Sequence, residues 1–166
     1  MMMGMRVFAV IGLCLLMAFT IVCDPVRAQE RAVPYWAALR YEQVNMRVGP
    51  SRDYPVEWVY KRKGMPVKVM RTREGWRLVR DVEGAQGWVA ASQLTPERGV
   101  VVIGKGLADL RAEPRAASAL RWRAEPGVVA RYLRCETGWC EIDAAGRKGW
   151  VLAERLFGIE ALPGNP

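Results

Sequence analysis

The sequence predicts an all-β protein: two small β-barrels in tandem behind an N-terminal leader. Three observations predict it. The stretches "EGWRLVRDVEGAQGWV" (74–89) and "TGWCEIDAAGRKGWV" (137–151) each carry two Gly-Trp pairs at nearly equal spacing. Short β-rich runs recur between turn signals at intervals of about 8–12 residues, the pattern of a barrel or sandwich. After the leader, no segment shows a long apolar stripe at helical spacing.

The leader opens the chain. Arg6 precedes an apolar run from Val7 to Val22, and Pro25 and Val26-Arg27-Ala28 follow. Basic, apolar and small-residue segments in that order make a secretory signal peptide. The run is shorter than the roughly 20 residues that span a bilayer. An uncleaved anchor is the alternative. Acylation of Cys23 is disfavoured, because Val22 stands where a small residue belongs. The expectation is a signal peptide at residues 1–28 and an exported protein, periplasmic or secreted, that meets the membrane only transiently through that segment.

The remainder is a duplication. Asn45, Arg47, Pro50 and Trp58 align with Asp109, Arg111, Pro114 and Trp122 at an offset of 64. After two single deletions, Gly75-Trp76 aligns with Gly138-Trp139, Gly87-Trp88 with Gly149-Trp150, and Leu94 with Leu156. Every tryptophan except Trp36 has a counterpart; Val100 stands opposite Trp36. The units run near 35–94 and 98–158, joined by "TPER" (95–98), which Pro96 stiffens. Domains of about 60 residues bury only about 60% of their unfolded surface and are marginal alone, so the two are expected to pack together.

Within each unit the elements follow in order. "YWAALR" (35–40) and "VVVI" (100–103) open as strands. "PVKVMRTREGWRLV" and "GVVARYLRCETGWCEI" are each two β-rich runs around a Gly-containing turn, a hairpin signal. "AQGWVAASQL" and "RKGWVLAERL" add a short strand and one helical turn after a second Gly-bearing turn. In each Gly-Trp pair, the glycine is expected to supply the turn's backbone angles. The tryptophan then starts the next strand and covers the small core.

Cys14 and Cys23 leave with the leader, so Cys135 and Cys140 remain. Two thiols in a chain without histidine cannot complete a four-ligand zinc site, and no metal or other cofactor is expected. In an oxidising compartment a disulfide is the default. The pair flanks the turn Glu136-Thr137-Gly138-Trp139, and closing so small a loop is worth about 2 kcal/mol. Cys-x4-Cys is not the Cys-x-x-Cys arrangement that lowers a thiol pKa, which argues against a redox role.

These residues carry a family resemblance. Asn45-x-Arg47-x-Gly49-Pro50-Ser51, then Gly75-Trp76-x-x-Val79, then Gly87-Trp88-Val89 resembles the bacterial SH3-like domain. The second unit is similar in Asp109-x-Arg111, Pro114, Gly138-Trp139-x-x-Ile142 and Gly149-Trp150-Val151, but has Glu113 for the glycine and Arg115 for the serine. The resemblance implies two tandem SH3-like barrels of five to seven strands. It also implies a binding module, of a kind that targets exported proteins to peptidoglycan or to peptide segments, usually beside a catalytic domain.

No catalytic residues are expected. Without histidine, acid-base work would fall to carboxylates, lysine or tyrosine, and the acidic residues lie scattered among arginines. Ser51, Ser92 and Ser118 have no adjacent base. A peptidase of the NlpC type would need a Cys-His pair. The segments 29–34 and 160–166 outside the repeats are too short to fold.

Once Arg6, Arg27 and Asp24 leave, 23 Lys and Arg face 16 Asp and Glu, about +7. Such charge favours anionic surfaces or polymers, and for an exported protein no nucleic acid is expected as a partner. The expected partner is peptidoglycan or another anionic envelope component. The alternatives are an envelope protein or peptide held by a scaffolding factor without wall affinity, and a merely solvated basic surface. Residues 35–94 hold 11 basic and 6 acidic residues, against 11 and 9 in residues 96–160. The excess gathers at Lys61, Arg62 and Lys63 and at Lys68, Arg71 and Arg73. With Trp36, Tyr41, Tyr54, Trp58 and Tyr60, the residues Lys61–Lys63 form the candidate ligand-binding set, although pairing with Trp122 favours a core position for Trp58. N-terminal sequencing of the exported form is expected to begin at Gln29; a form retaining Met1 would contradict the leader reading.

Overall fold

The computed structural model describes residues 31–159, which belong to one compact unit. The expected signal peptide lies outside them. The first half contains seven strands: β1 (Tyr35–Leu39), β2 (Val44–Arg47), β3 (Val56–Tyr60), β4 (Pro66–Arg73), β5 (Trp76–Arg80), β6 (Gln86–Ala90) and β7 (Leu94–Thr95). The second half repeats them: β8 (Gly99–Val102), β9 (Ala108–Arg111), β10 (Leu120–Ala124), β11 (Val129–Glu136), β12 (Trp139–Ala144), β13 (Arg147–Leu152) and β14 (Leu156–Phe157). Each set is one antiparallel sheet, ordered β3-β2-β6-β5-β4-β1-β7 and β10-β9-β13-β12-β11-β8-β14. A single 3₁₀ turn, Ala91–Gln93 or Ala153–Arg155, stands where the sequence predicts a helical turn. The fold is therefore all-β, two SH3-like units in tandem.

Strand alternation builds each core. Val44 and Met46 of β2 point inward beside Leu39, Val67, Val69, Val79 and Val89. Leu110, Val100, Val102, Ile142 and Val151 do the same in the second unit. The hairpins β4–β5 and β11–β12 close through two-residue turns with both central residues at positive φ: Glu74 (37°) with Gly75 (83°), and Thr137 (48°) with Gly138 (81°). This is the type I′ geometry whose twist matches paired strands. Cys135 lies directly across from Cys140 in that second hairpin, and the two form a disulfide with Cα atoms 4.0 Å apart. The first barrel has Thr72 opposite Arg77 at the same register.

The second Gly-Trp pair corrects the expectation. Gly87 and Gly149 lie inside β6 and β13, not in turns. A Cβ on Gly87 would stand 2.5 Å from Met46 Cγ, and one on Gly149 would stand 2.8 Å from Leu110 Cβ. These glycines let a neighbouring strand's core residue pass close by. The Gly-Trp tryptophans meet the expectation only in part: Trp150 is buried, Trp76, Trp88 and Trp139 are half-buried, and the clustered cores are mainly aliphatic, with Met46 and Tyr60 in the first and Cys140 in the second. Trp58 and Trp122 are 55% and 45% exposed on edge strands β3 and β10, so the core position favoured by their pairing is wrong. The Arg147 guanidinium lies over the Trp122 ring, 5.4 Å from its centroid.

The barrels meet around β8, which lies against β4, Gly64 and Ala38 of the first barrel. β1 and β8 are buried on both faces. Ala37 and Leu39 enter the first core and Val100 and Val102 the second. Trp36, Ala38 and Val101 belong to neither core yet are buried. The Trp36 ring stands edge-on to Phe157 of the second barrel, with centroids 4.9 Å apart and planes at 86°. By strand register, Trp36 faces Lys68 while Gly99 faces Arg131, so the counterpart of Trp36 is Gly99 and not Val100. A Cβ on Gly99 would sit 1.9 Å from the Gly64 carbonyl oxygen and 3.4 Å from Ala38 Cβ. The backbones thus touch where any side chain would separate them. Gly99→Ala is expected to cost about 1–3 kcal/mol, the usual price of overpacking, read by urea unfolding; wild-type stability would show that the barrels do not rely on this contact.

Candidate functional site

The structure does not bring the sequence-predicted binding residues together. Trp36 is sealed into the junction. Tyr60 is buried, and its hydroxyl donates to Asp81 Oδ2 at 2.9 Å. Burial, with Asp81 adding, pushes that hydroxyl's pKa well above the usual tyrosine value. Neither side chain is presented to a ligand. Asp81 in turn caps its own loop, accepting from the N–H groups of Glu83 and Ala85. Arg62 Nη1 donates to the Gly127 carbonyl of the second barrel at 2.6 Å, so the Lys61–Lys63 segment is a bridge between barrels. The cleft there is lined by Glu42 and Glu125 as well as Arg62 and Lys63, which dilutes its positive charge. Tyr41, Tyr54 and Trp58 remain exposed.

Tyr54 leads to a better-formed site. Between β2 and β3 the chain makes a loop in which the Tyr54 ring lies against the α-carbon of Gly49. A Cβ on Gly49 would be 2.5 Å from that ring. Arg47 Nη1 donates to the Tyr54 carbonyl at 2.6 Å, and Ser51 Oγ donates to Asp53 Oδ2 at 2.7 Å. At the foot of this loop lies a cavity of about 310 Å³, lined by Asn45 and Arg47 from β2, Arg52 from the loop, Trp76 from β5, and Ser92 and Gln93 from the 3₁₀ turn. The sequence motif names Asn45, Arg47 and Trp76 but does not join them to Arg52, Ser92 and Gln93, which come from distant segments.

The second barrel builds the same corner differently. Ser118 stands where Tyr54 does, and its buried Oγ accepts from the Glu113 N–H at 2.9 Å. The departure at Glu113 is therefore half of a paired exchange, Gly with Tyr for Glu with Ser. Asp109, in place of Asn45, takes Arg111 Nη2 at 2.9 Å and Arg123 Nε at 3.1 Å. Arg155, in place of Gln93, donates to the carbonyls of Ile103 and Gly106.

Charge pairing separates the barrels more widely. Five ion pairs join described residues, and all five lie in the second barrel. On its outer β11–β12 face, Arg131 pairs with Asp143 and Arg134 with Glu141. The Gly146 N–H, together with Arg131, holds the Asp143 carboxyl below its usual range. The matching β4–β5 face of the first barrel places Lys68 across from Arg80 and Arg71 across from Leu78, with Arg73 beyond. Among the described residues, no group of three or more His, Cys, Asp or Glu is placed to hold a metal ion.

The chain belongs to the bacterial SH3 domain family, whose model matches it twice, at residues 40–96 and 104–158. Bacterial SH3 domains are non-catalytic binding modules, and both barrels are of that kind. No curated protein matches the chain. Among solved structures, it is similar to NlpC2 from Trichomonas vaginalis, at 14% identity and a TM-score of 0.35, over 79% of this chain and 52% of that one. It is also similar to an NlpC/P60 family protein from Bacillus cereus, at 15% identity and a TM-score of 0.33, over 74% of this chain and 55% of that one. The chain thus spans about half the length of these structures.

The Gly49–Tyr54 contact makes a coupled prediction. Gly49→Ala alone is expected to destabilise by about 1–3 kcal/mol, the range for overpacking. Combined with Tyr54→Ser, the pairing the second barrel resembles, most of that loss is expected to return; a strictly additive double-mutant cycle would show that ring and glycine are not coupled.

Proposed function

We propose that the protein is an exported, non-catalytic tandem binding module of the cell envelope, periplasmic or secreted, and that its first barrel holds peptidoglycan or another anionic envelope component. The observation that carries this reading is the unpaired basic face of β4 and β5. Arg71, Arg73 and Arg80 are exposed there without an ion pair to any described residue, while the second barrel neutralises the equivalent face. Keeping like charges side by side costs stability, so an external anion is the natural counter-charge. The leader supports export, and family membership supports a binding role. A scaffolding factor that holds another envelope protein is the second reading. It draws on edge strand β3, where Val56, Trp58 and Val59 are exposed beside unpaired backbone groups.

Retention on purified sacculi tests the first reading against the second. Reversing Arg71, Arg73 and Arg80 to glutamate is expected to cut retention about tenfold or more, on the scale of about 1 kcal/mol per basic residue near an anionic surface. Reversing Lys105, Arg121 and Lys148 of the second barrel is expected to do much less. Retention of the wild type should weaken as salt rises, since screening acts over roughly 8 Å at physiological ionic strength. Absence of retention, or equal losses from both sets, would remove the wall-binding reading.

A further inference from the structure

We propose that the cavity between Arg47, Arg52 and Trp76 in the first barrel is a subsite for a peptide's terminal carboxylate; this deepens the wall-binding reading, on which only the choice of a peptide rests. The cavity holds two guanidinium groups, and no carboxylate lines it. Arg47 is already oriented, because one of its N–H groups is spent on the Tyr54 carbonyl. A guanidinium has five such donors in a fixed fork suited to carboxylate oxygens. Asn45, Ser92 and Gln93 add neutral hydrogen-bonding groups, and half-buried Trp76 offers an apolar wall for the side chain beside the carboxylate. At about 310 Å³ the volume lies at the small end of ligand pockets, enough for the end of a peptide.

The second barrel shows what fills such a corner. There the chain supplies the carboxylate itself: Asp109, at the position of Asn45, lies 2.9 Å from Arg111, the counterpart of Arg47. Ala116 replaces Arg52, and Glu154 replaces Ser92. In one copy the arginine is thus paired with the chain's own acid. The other keeps that arginine, has Arg52 for Ala116 and Gln93 for Arg155, and carries neither acid. Asp109 marks where a ligand's carboxylate would sit.

The test uses the exported chain and N-acetyl-alanyl-alanine, followed by NMR of the Trp76 indole N–H and the Arg47 and Arg52 Nε–H signals. The free acid is expected to shift them saturably, while its C-terminal amide leaves them in place. Arg52→Ala, on an exposed loop, is expected to weaken binding about tenfold or more, as for loss of one charge-assisted contact. Asn45→Asp should abolish the response by closing the site as Asp109 does. Equal shifts from the amide, or unaltered binding in either variant, would overturn the proposal. Sacculus retention separates the two claims: retention without a dipeptide response overturns the subsite alone, and a dipeptide response without retention overturns only the wall reading.

Discussion

Burial of β1 and β8 on both faces is the constraint on which the rest of this structure depends. Each strand gives one face to its own barrel and the other to the neighbouring barrel, so neither first strand is satisfied alone. The sequences follow from that demand. "YWAAL" and "GVVV" read as continuous apolar runs, as strands covered on two sides do. Small residues stand where backbones touch, at Gly64, Gly99 and Ala38, and one large pair, Trp36 with Phe157, fills the space beside them. The linker is short because the contact leaves it nothing to span. Faces not spent on this contact, such as the outer side of β4 and β5, stay exposed.

Much of this architecture was legible in the sequence. The duplicated Gly-Trp pairs mark the copies, and the Gly-bearing hairpins appear where β-rich runs flank them. What eluded the sequence was the role of particular aromatics. Trp58 and Trp122 occupy matched positions, which in sequence suits packing, whereas both are exposed on edge strands. Period-two alternation says which residues share a face but not what covers that face. For the same reason Trp36, which has no partner tryptophan, looked like a binding residue although it serves the junction. The candidate cavity was half legible. Asn45 and Arg47 stand in one motif, but only folding carries Arg52, Trp76, Ser92 and Gln93 to them.

The two copies have spent their differences on different tasks. The second is reinforced: a cross-strand disulfide, paired charges on the outer face, and an internal acid on Arg111. The first lacks those ties and is steadied inside by Tyr60 and Asp81, whose counterparts are Ala124 and Ala144. Arg71 and Arg80, at positions that carry paired charges in the second copy, are exposed and without an ion pair to any described residue.

The junction has a further consequence in terms of symmetry. Trp36 meets Phe157, whereas Gly99, its counterpart, faces the Gly64 carbonyl oxygen, so the two copies bring unlike surfaces to the contact. A contact between unlike surfaces is heterologous and not two-fold. Matched positions therefore carry different duties in the two copies, and exchanging them would not restore the junction.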